Sequence, residues 1–253
     1  MKNELALIQM KVEDKDKINI ENLVIEITRR CNMKCSHCLR GPAQNKDIDM
    51  FYIDILFKHV NYISNLTITG GEPSLKPEYI KWILRKAKSY KIGIGSFFIS
   101  TNGKKVTPEF LIEIVNLYSY CDDNEISGIR ISRDDYHEEI PNNNIKKLQI
   151  FSFTTIDDDR HKFLINEGRT KELINYGRHS LKDSRKLNPD EFEFDEENIN
   201  TLSEGTLYLN VKGNLIRGCD WSYKSQDKPE NIFCHVSKFN INKVKEICKK
   251  SDN

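Results

Sequence analysis

Leu23-Val-Ile-Glu-Ile-Thr28 runs directly into Arg29-Arg-Cys-Asn-Met-Lys-Cys-Ser-His-Cys38. The first segment is a short apolar run, the pattern of a buried strand. The second is a polar loop that carries Cys-x3-Cys-x2-Cys. Three thiolates leave a tetrahedral site one ligand short, and they leave one iron of a [4Fe–4S] cluster without a protein ligand. An exchangeable position on a metal binds a substrate or cofactor directly. Cys31, Cys35 and Cys38 therefore point to chemistry. Read alone, the triplet also allows a zinc site completed by His37 or His59.

Working outward, strand-like and helix-like segments alternate. Ile48, Tyr52, Ile55, Leu56 and Ile63 read as one helical stripe, followed by a short strand at Leu66–Thr69 that ends in Gly70-Gly71-Glu72-Pro73. Pro77 and Glu78 open a helix with Ile80, Ile83, Leu84 and Ala87 inward. Ser96–Ser100 is a third strand, closed by Thr101-Asn102-Gly103. Thr107 then caps a helix with Pro108 at its first position and Leu111, Ile114, Val115 and Tyr118 as its core face. Gly128–Ser132 and Leu148–Thr154 read as the fourth and fifth strands. This order predicts right-handed crossovers and a parallel sheet, with the polar turns gathered at the carboxyl edge where barrel-like α/β folds keep their active sites.

The tail has a different character. His179–Gly205 is highly charged and reads as a linker or surface excursion. Thr206–Val211 and Leu215–Cys219 flank Lys-Gly-Asn as a hairpin, and a short helix spans about Val244–Lys250. The expected division is a core over residues 1–180 and a linker with a small extension over 181–253.

Composition narrows the class. The 253 residues are 38% hydrophobic and 30% charged, as in a soluble globular protein, and a net charge of +1 gives no electrostatic case for nucleic acid. No apolar run approaches a membrane span, and Met1–Met10 is too short an apolar stretch for a signal peptide. A cytoplasmic location follows as an expectation. There the seven cysteines stay reduced and read as ligands, catalytic groups or buried thiols.

Taken together, strand, Cys-x3-Cys-x2-Cys, helix, strand and Gly-Gly-Glu-Pro resemble the radical S-adenosylmethionine (radical SAM) superfamily over roughly residues 20–160. The resemblance implies an open, partial (β/α)6 barrel with a small C-terminal α+β extension. It implies that Cys31, Cys35 and Cys38 hold a [4Fe–4S] cluster whose fourth iron is chelated by S-adenosylmethionine. Gly70, Gly71, Glu72 and Pro73 would face the cofactor's methionyl amine. Ser100 or Asn102 would lie near its methionine or ribose, Ser132 would contact it, and Arg130 or Arg133 would pair with its carboxylate. Alternation puts Arg130 and Ser132 on one strand face and Arg133 on the other.

Cys121 reads as a small buried residue. Glu167-Gly-Arg-Thr170 and the hairpin ending at Cys219 partly resemble the run into the auxiliary-cluster extensions called SPASM or twitch domains, although Asp220–Phe233 has no glycine. Cys219, Cys234 and Cys248 are thus candidates for a second iron–sulfur cluster. Cys219 is alternatively a catalytic thiol that donates a hydrogen atom to a substrate radical. Trp221 and Tyr223 line a substrate pocket or pack the tail. Asp122-Asp123 and Asp157–Asp159 read as solvated loops. The expected function is hydrogen abstraction from a peptide or protein, with a flavodoxin- or ferredoxin-like reductant. A small metabolite or nucleotide is the second substrate class. A non-catalytic iron–sulfur carrier or redox sensor is the alternative outside catalysis.

Overall fold

The structure is a computed structural model that describes residues 16–133, 136–157, 168–169, 187–196 and 200–251. The first fifteen residues, the 180/181 boundary, Asp158, Asp159, Glu167 and Thr170 lie outside the described residues.

Among the described residues nine strands form one sheet in the order β5-β4-β3-β2-β1-β7-β8-β9, with β6 (Glu193–Asp195) pairing β7 from off that path. β1 (Ile18–Thr28), β2 (Val60–Gly70), β3 (Gly93–Thr101), β4 (Gly128–Ser132) and β5 (Thr154–Asp157) are mutually parallel. The sheet does not close, as the partial-barrel expectation requires. Its sixth parallel strand, β7 (Thr201–Leu209), lies against β1 and not beyond β5. β8 (Asn214–Arg217) and β9 (Ile232–His235) continue antiparallel from it, so the expected hairpin forms and gains a third strand.

The helices follow local signals. The Asp49 carboxylate accepts from the Phe51 N–H and starts α1 (Met50–Lys58). α2 (Pro77–Tyr90) has Pro at its first position and buries Ile80, Ile83, Leu84 and Ala87 as expected. Thr107 caps α3 (Pro108–Tyr118) by accepting from the Phe110 N–H at 3.3 Å. α4 is Asn142–Leu148 and α5 is Ile241–Ser251. Among the described residues no helix is long and apolar enough to cross a membrane.

Three expectations are corrected. The buried stripe of α3 is Phe110, Glu113, Ile114 and Leu117, while Val115 stays 43% exposed. The first helix is shorter than its stripe: Ile48 precedes it and Ile63 belongs to β2. The fifth strand begins at Thr154, because Leu148 closes α4 and Phe151 and Phe153 form an aromatic stack. Phe153 in turn stacks on Tyr118 of α3 with ring centroids 4.2 Å apart.

Alternation gives the sheet two unlike faces. Leu23, Ile25, Ile27, Leu66, Ile68, Ile99, Ile129 and Ile131 point into the helix-covered core. The opposite face holds Phe98, Ser100, Arg130 and Ser132, none of them buried, and a second apolar cluster of Val24, Tyr208, Ile216 and Trp221.

Candidate metal and cofactor site

The loop bearing Cys31, Cys35 and Cys38 leaves the end of β1, at the carboxyl edge of the parallel strands. The end of β2 is fastened to its entrance. The Gly71 N–H donates to the Thr28 carbonyl at 2.7 Å and the Glu72 N–H to the Arg30 carbonyl at 2.8 Å. A Cβ on Gly70 would stand 2.2 Å from the Thr28 oxygen, and one on Gly71 would stand 2.3 Å from the Arg30 oxygen. The two glycines are thus required by close approach of backbone to backbone within the protein. Asp47 adds a polar anchor. It accepts from the Thr28 hydroxyl at 2.6 Å and from Arg30 Nε at 3.0 Å, and pairs with Lys76 at 2.9 Å.

Glu72 is fully enclosed, and its carboxylate is occupied by protein donors. Oε1 accepts from the Thr101 hydroxyl at 2.6 Å and the Ser74 N–H at 2.9 Å, and Oε2 accepts from the Asn102 N–H at 2.7 Å. Burial pushes its pKa up and these donors oppose the rise. Pro73 starts the short 3-10 turn that follows. Asn102 faces the cysteine loop, with Nδ2 3.6 Å from Cys31 Sγ and 2.9 Å from Asn32 Oδ1. Ser100 and Ser132 sit side by side on the open face, hydroxyl to hydroxyl at 3.2 Å. Arg130 shares that face, lying over the Phe98 ring and 3.5 Å from Asp157.

The far side of the loop is held by a network of which sequence reasoning missed Glu26, Arg29, Arg40, Gln44, Tyr208 and Gln226. Arg29 is buried and donates through Nε to Glu26, through Nη1 to Gln44 and through Nη2 to Gln226, at 2.6, 3.1 and 2.6 Å. Glu26 also accepts from the Tyr208 hydroxyl at 2.6 Å and from Gln226 Nε2 at 3.1 Å. The Tyr223 ring lies under the Arg29 guanidinium, and Arg40 lies over Tyr208 while donating to the Trp221 carbonyl. Trp221 and Tyr223 therefore pack between tail and loop. Arg169 donates to the Cys35 and Cys38 carbonyls, and a Cβ on Gly168 would meet the Leu39 oxygen at 2.1 Å. The one available signal was Glu26 itself, a charge inside an apolar strand.

The cysteines divide by place. Burial, then the Cys31 and Cys38 thiols, push Cys35 up to about 11. Burial likewise raises Cys31, reinforced by Glu72 and Cys38 and opposed by the Met33 N–H and Asn102. Cys219 lies against the apolar cluster on the open face, with its thiol pushed up to about 11 by burial and Asp220. Cys234 and Cys248 belong to the helix-side core, so the sheet separates them from Cys219. That geometry removes the three tail thiols as a common ligand set. Cys121 is buried, as expected. His59 is excluded as a fourth ligand: it caps α1 next to Val60, which pairs with Ile18 at the opposite end of β1 from Cys31.

The profile of the Radical SAM superfamily matches residues 25–186. The chain belongs to the radical SAM superfamily, a superfamily of enzymes. This radical SAM chain is 31% identical over 102 residues to the tungsten-containing aldehyde ferredoxin oxidoreductase cofactor-modifying protein of Pyrococcus furiosus. That stretch covers 38% of this chain and 27% of the relative. The chain spans only between 20% and 29% of the length of the curated relatives it matches. Among solved structures it is similar to anSMEcpe with bound AdoMet and Cp18Cys peptide, at 10% identity and a TM-score of 0.51 over 92% of this chain and 82% of that one. BtrN in complex with AdoMet and 2-DOIA is similar at 14% identity and a TM-score of 0.52 over 91% and 86%. At such identities the likeness is one of fold.

The superfamily implies a [4Fe–4S] cluster and S-adenosylmethionine, and the donor set fits. Burial and neighbouring acidic groups hold the Cys31 and Cys35 thiols in their protonated form, and bound iron would displace those protons. Among the described residues no three His, Cys, Asp or Glu side chains converge at single-ion spacing. Thiolates around a cubane stand further apart than those around one ion, so the fit rests on the donors and their common loop.

Proposed function

We propose that this chain is a radical SAM enzyme in which Cys31, Cys35 and Cys38 hold a [4Fe–4S] cluster, and that its substrate is a peptide or a segment of a protein. When bound, cluster and S-adenosylmethionine together supply a one-electron cleavage that yields a 5′-deoxyadenosyl radical able to take a hydrogen atom from a substrate. The reading is carried by three cysteines on one loop, fastened at the carboxyl edge of an open parallel sheet.

The protein's own residues have separable parts. Gly70 and Gly71 bring the β2 turn against the loop. With the Glu72 carboxylate occupied, this turn meets a ligand's ammonium through backbone carbonyls. Ser100 and Ser132 offer hydroxyls from the open face, and Arg130 offers a fork suited to a carboxylate. Cys219 lies on that face as a protonated thiol, the form from which a hydrogen atom is given. Such a transfer breaks its S–H bond, forms a substrate C–H bond and leaves a thiyl radical. An electron from a flavodoxin- or ferredoxin-like reductant, with a proton, restores the thiol. The open sheet and the exposed Arg130 and Thr155 near its β5 edge favour a large substrate.

Anaerobically reconstituted protein should be brown and bind about four irons. With dithionite and S-adenosylmethionine it should release 5′-deoxyadenosine, and Cys31→Ala should abolish that release. Colourless protein, or iron without release, overturns the reading. Deuterium carried from a labelled peptide into 5′-deoxyadenosine supports the peptide substrate. Transfer only from a small metabolite or nucleotide replaces it.

A further inference from the structure

Asn102 was expected near the methionine or ribose, yet its amide faces a cysteine sulfur. Nδ2 is 3.6 Å from Cys31 Sγ and 2.9 Å from Asn32 Oδ1. The orientation of the amide is decided by its other end, because Oδ1 accepts from the Lys104 N–H at 2.9 Å and the NH2 group must then face the loop. The residue is 7% exposed, and its backbone N–H is held by Glu72 Oε2 at 2.7 Å. Glu72, itself 1% exposed, is fixed in turn by Thr101 and Ser74. The Lys104 ammonium closes the ring by donating to the Asn32 carbonyl at 3.1 Å. Glu72, Asn102 and Cys31 thus form a continuous hydrogen-bonded line ending on sulfur.

We propose that Asn102 is a positioning residue that raises the reduction potential of the iron–sulfur centre through an N–H···S bond to Cys31. This rests on the reading that Cys31 ligates the cluster. Added electron density on the cluster is shared with its thiolate ligands, and a donor on one of them stabilises the reduced form more than the oxidised one. The Glu72 carboxylate acts through Asn102 by holding its backbone in place.

The test is a redox titration of reconstituted protein, read from the spin-resonance signal of the reduced cluster, for the wild type, Asn102→Ala, Asn102→Ser and Asn102→Asp. Asn102→Asp retains the acceptor for Lys104 and nearly the same shape but adds a charge that lowers the potential by itself, so the neutral Asn102→Ala and Asn102→Ser are the deciding variants. The reduction equilibrium should fall about tenfold in Asn102→Ala, equal to 59 mV for one electron, and further in Asn102→Asp, which puts an anion beside the sulfur. Asn102→Ser removes the amide donor with less disturbance and must also show a lowered potential. Unmoved potentials in variants that bind a full complement of iron overturn this proposal and leave the cluster assignment standing. A wild type that binds no iron overturns both.

Discussion

Gln226 Nε2 donates to Glu26 Oε2 at 3.1 Å across 200 residues of sequence. Gln226 Oε1 meanwhile accepts from Arg29, so one amide closes a buried ring with a carboxylate and a guanidinium. Replacing Gln226 with Leu strands the Arg29 Nη2 donor where water does not reach and leaves Glu26 Oε2 with the Tyr208 hydroxyl alone. Loss of about 2–3 kcal/mol of stability is expected, seen as a lower urea midpoint with an unchanged slope. Glu26→Ala should cost more, about 3–5 kcal/mol, because it leaves Arg29 buried without its counter-charge. A Gln226→Leu midpoint equal to the wild type's would show that this contact contributes nothing.

Asp47 gives a pH dependence of known sign. Burial raises its pKa, but hydrogen bonds from Thr28, Lys76 and Arg30 outweigh it, and the net shift is downward. The unfolded chain then holds the proton more tightly, so this carboxylate stabilises the fold above pH ~4 and stops doing so as pH falls through its lowered folded value. Asp47→Asn should lose about 1–2 kcal/mol at neutral pH. The gap to the wild type should close in acid. Parallel stability curves for the two proteins from pH 7 to pH 3 would refute this assignment.

Gly71→Ala places a methyl 2.3 Å from the Arg30 carbonyl oxygen, and backbone must move to admit it. About 1–3 kcal/mol is lost if the strain is absorbed locally. The loop entrance shifts with it, so iron bound per chain after reconstitution should drop well below the wild type's. Full iron content in Gly71→Ala would mean that the turn and the loop are independent.

Cys219, pushed up to about 11, should react sluggishly in the iron-free protein. Alkylation at pH 8 should be roughly two orders of magnitude slower than for free cysteine, whose pKa is about 8.5, and should accelerate as pH rises towards 11. Mass mapping of iodoacetamide adducts reads this directly. Fast labelling of Cys219 at pH 7 would remove the case for a protonated donor.

The strand, the cysteine loop and the Gly-Gly turn were legible because each lies within a few residues of its own signal. Thr107-Pro108 gave the start of α3 for the same reason. The core face of α3 was not legible: Leu111, Ile114, Val115 and Tyr118 have the same spacing as Phe110, Glu113, Ile114 and Leu117, and only the neighbouring sheet chooses between them. Leu148–Thr154 has strand composition, but the stack of Phe151, Phe153 and Tyr118 draws it into a turn. The ring around Arg29 was hidden by distance along the chain, since Tyr208 and Gln226 lie 182 and 200 residues from Glu26. Asn102 was recognised as a site residue, but the atom it faces depends on how β3 ends relative to β1, which spacing does not encode.

β7 occupies the flank of β1 that would otherwise be an edge. If a protease or a premature stop took away everything after residue 200, a long and largely hydrophobic strand would be left with a bare row of amides and carbonyls. Such edges recruit other chains and drive aggregation. The tail is therefore not dispensable ornament: its loss would turn a folded unit into a nucleus for precipitation.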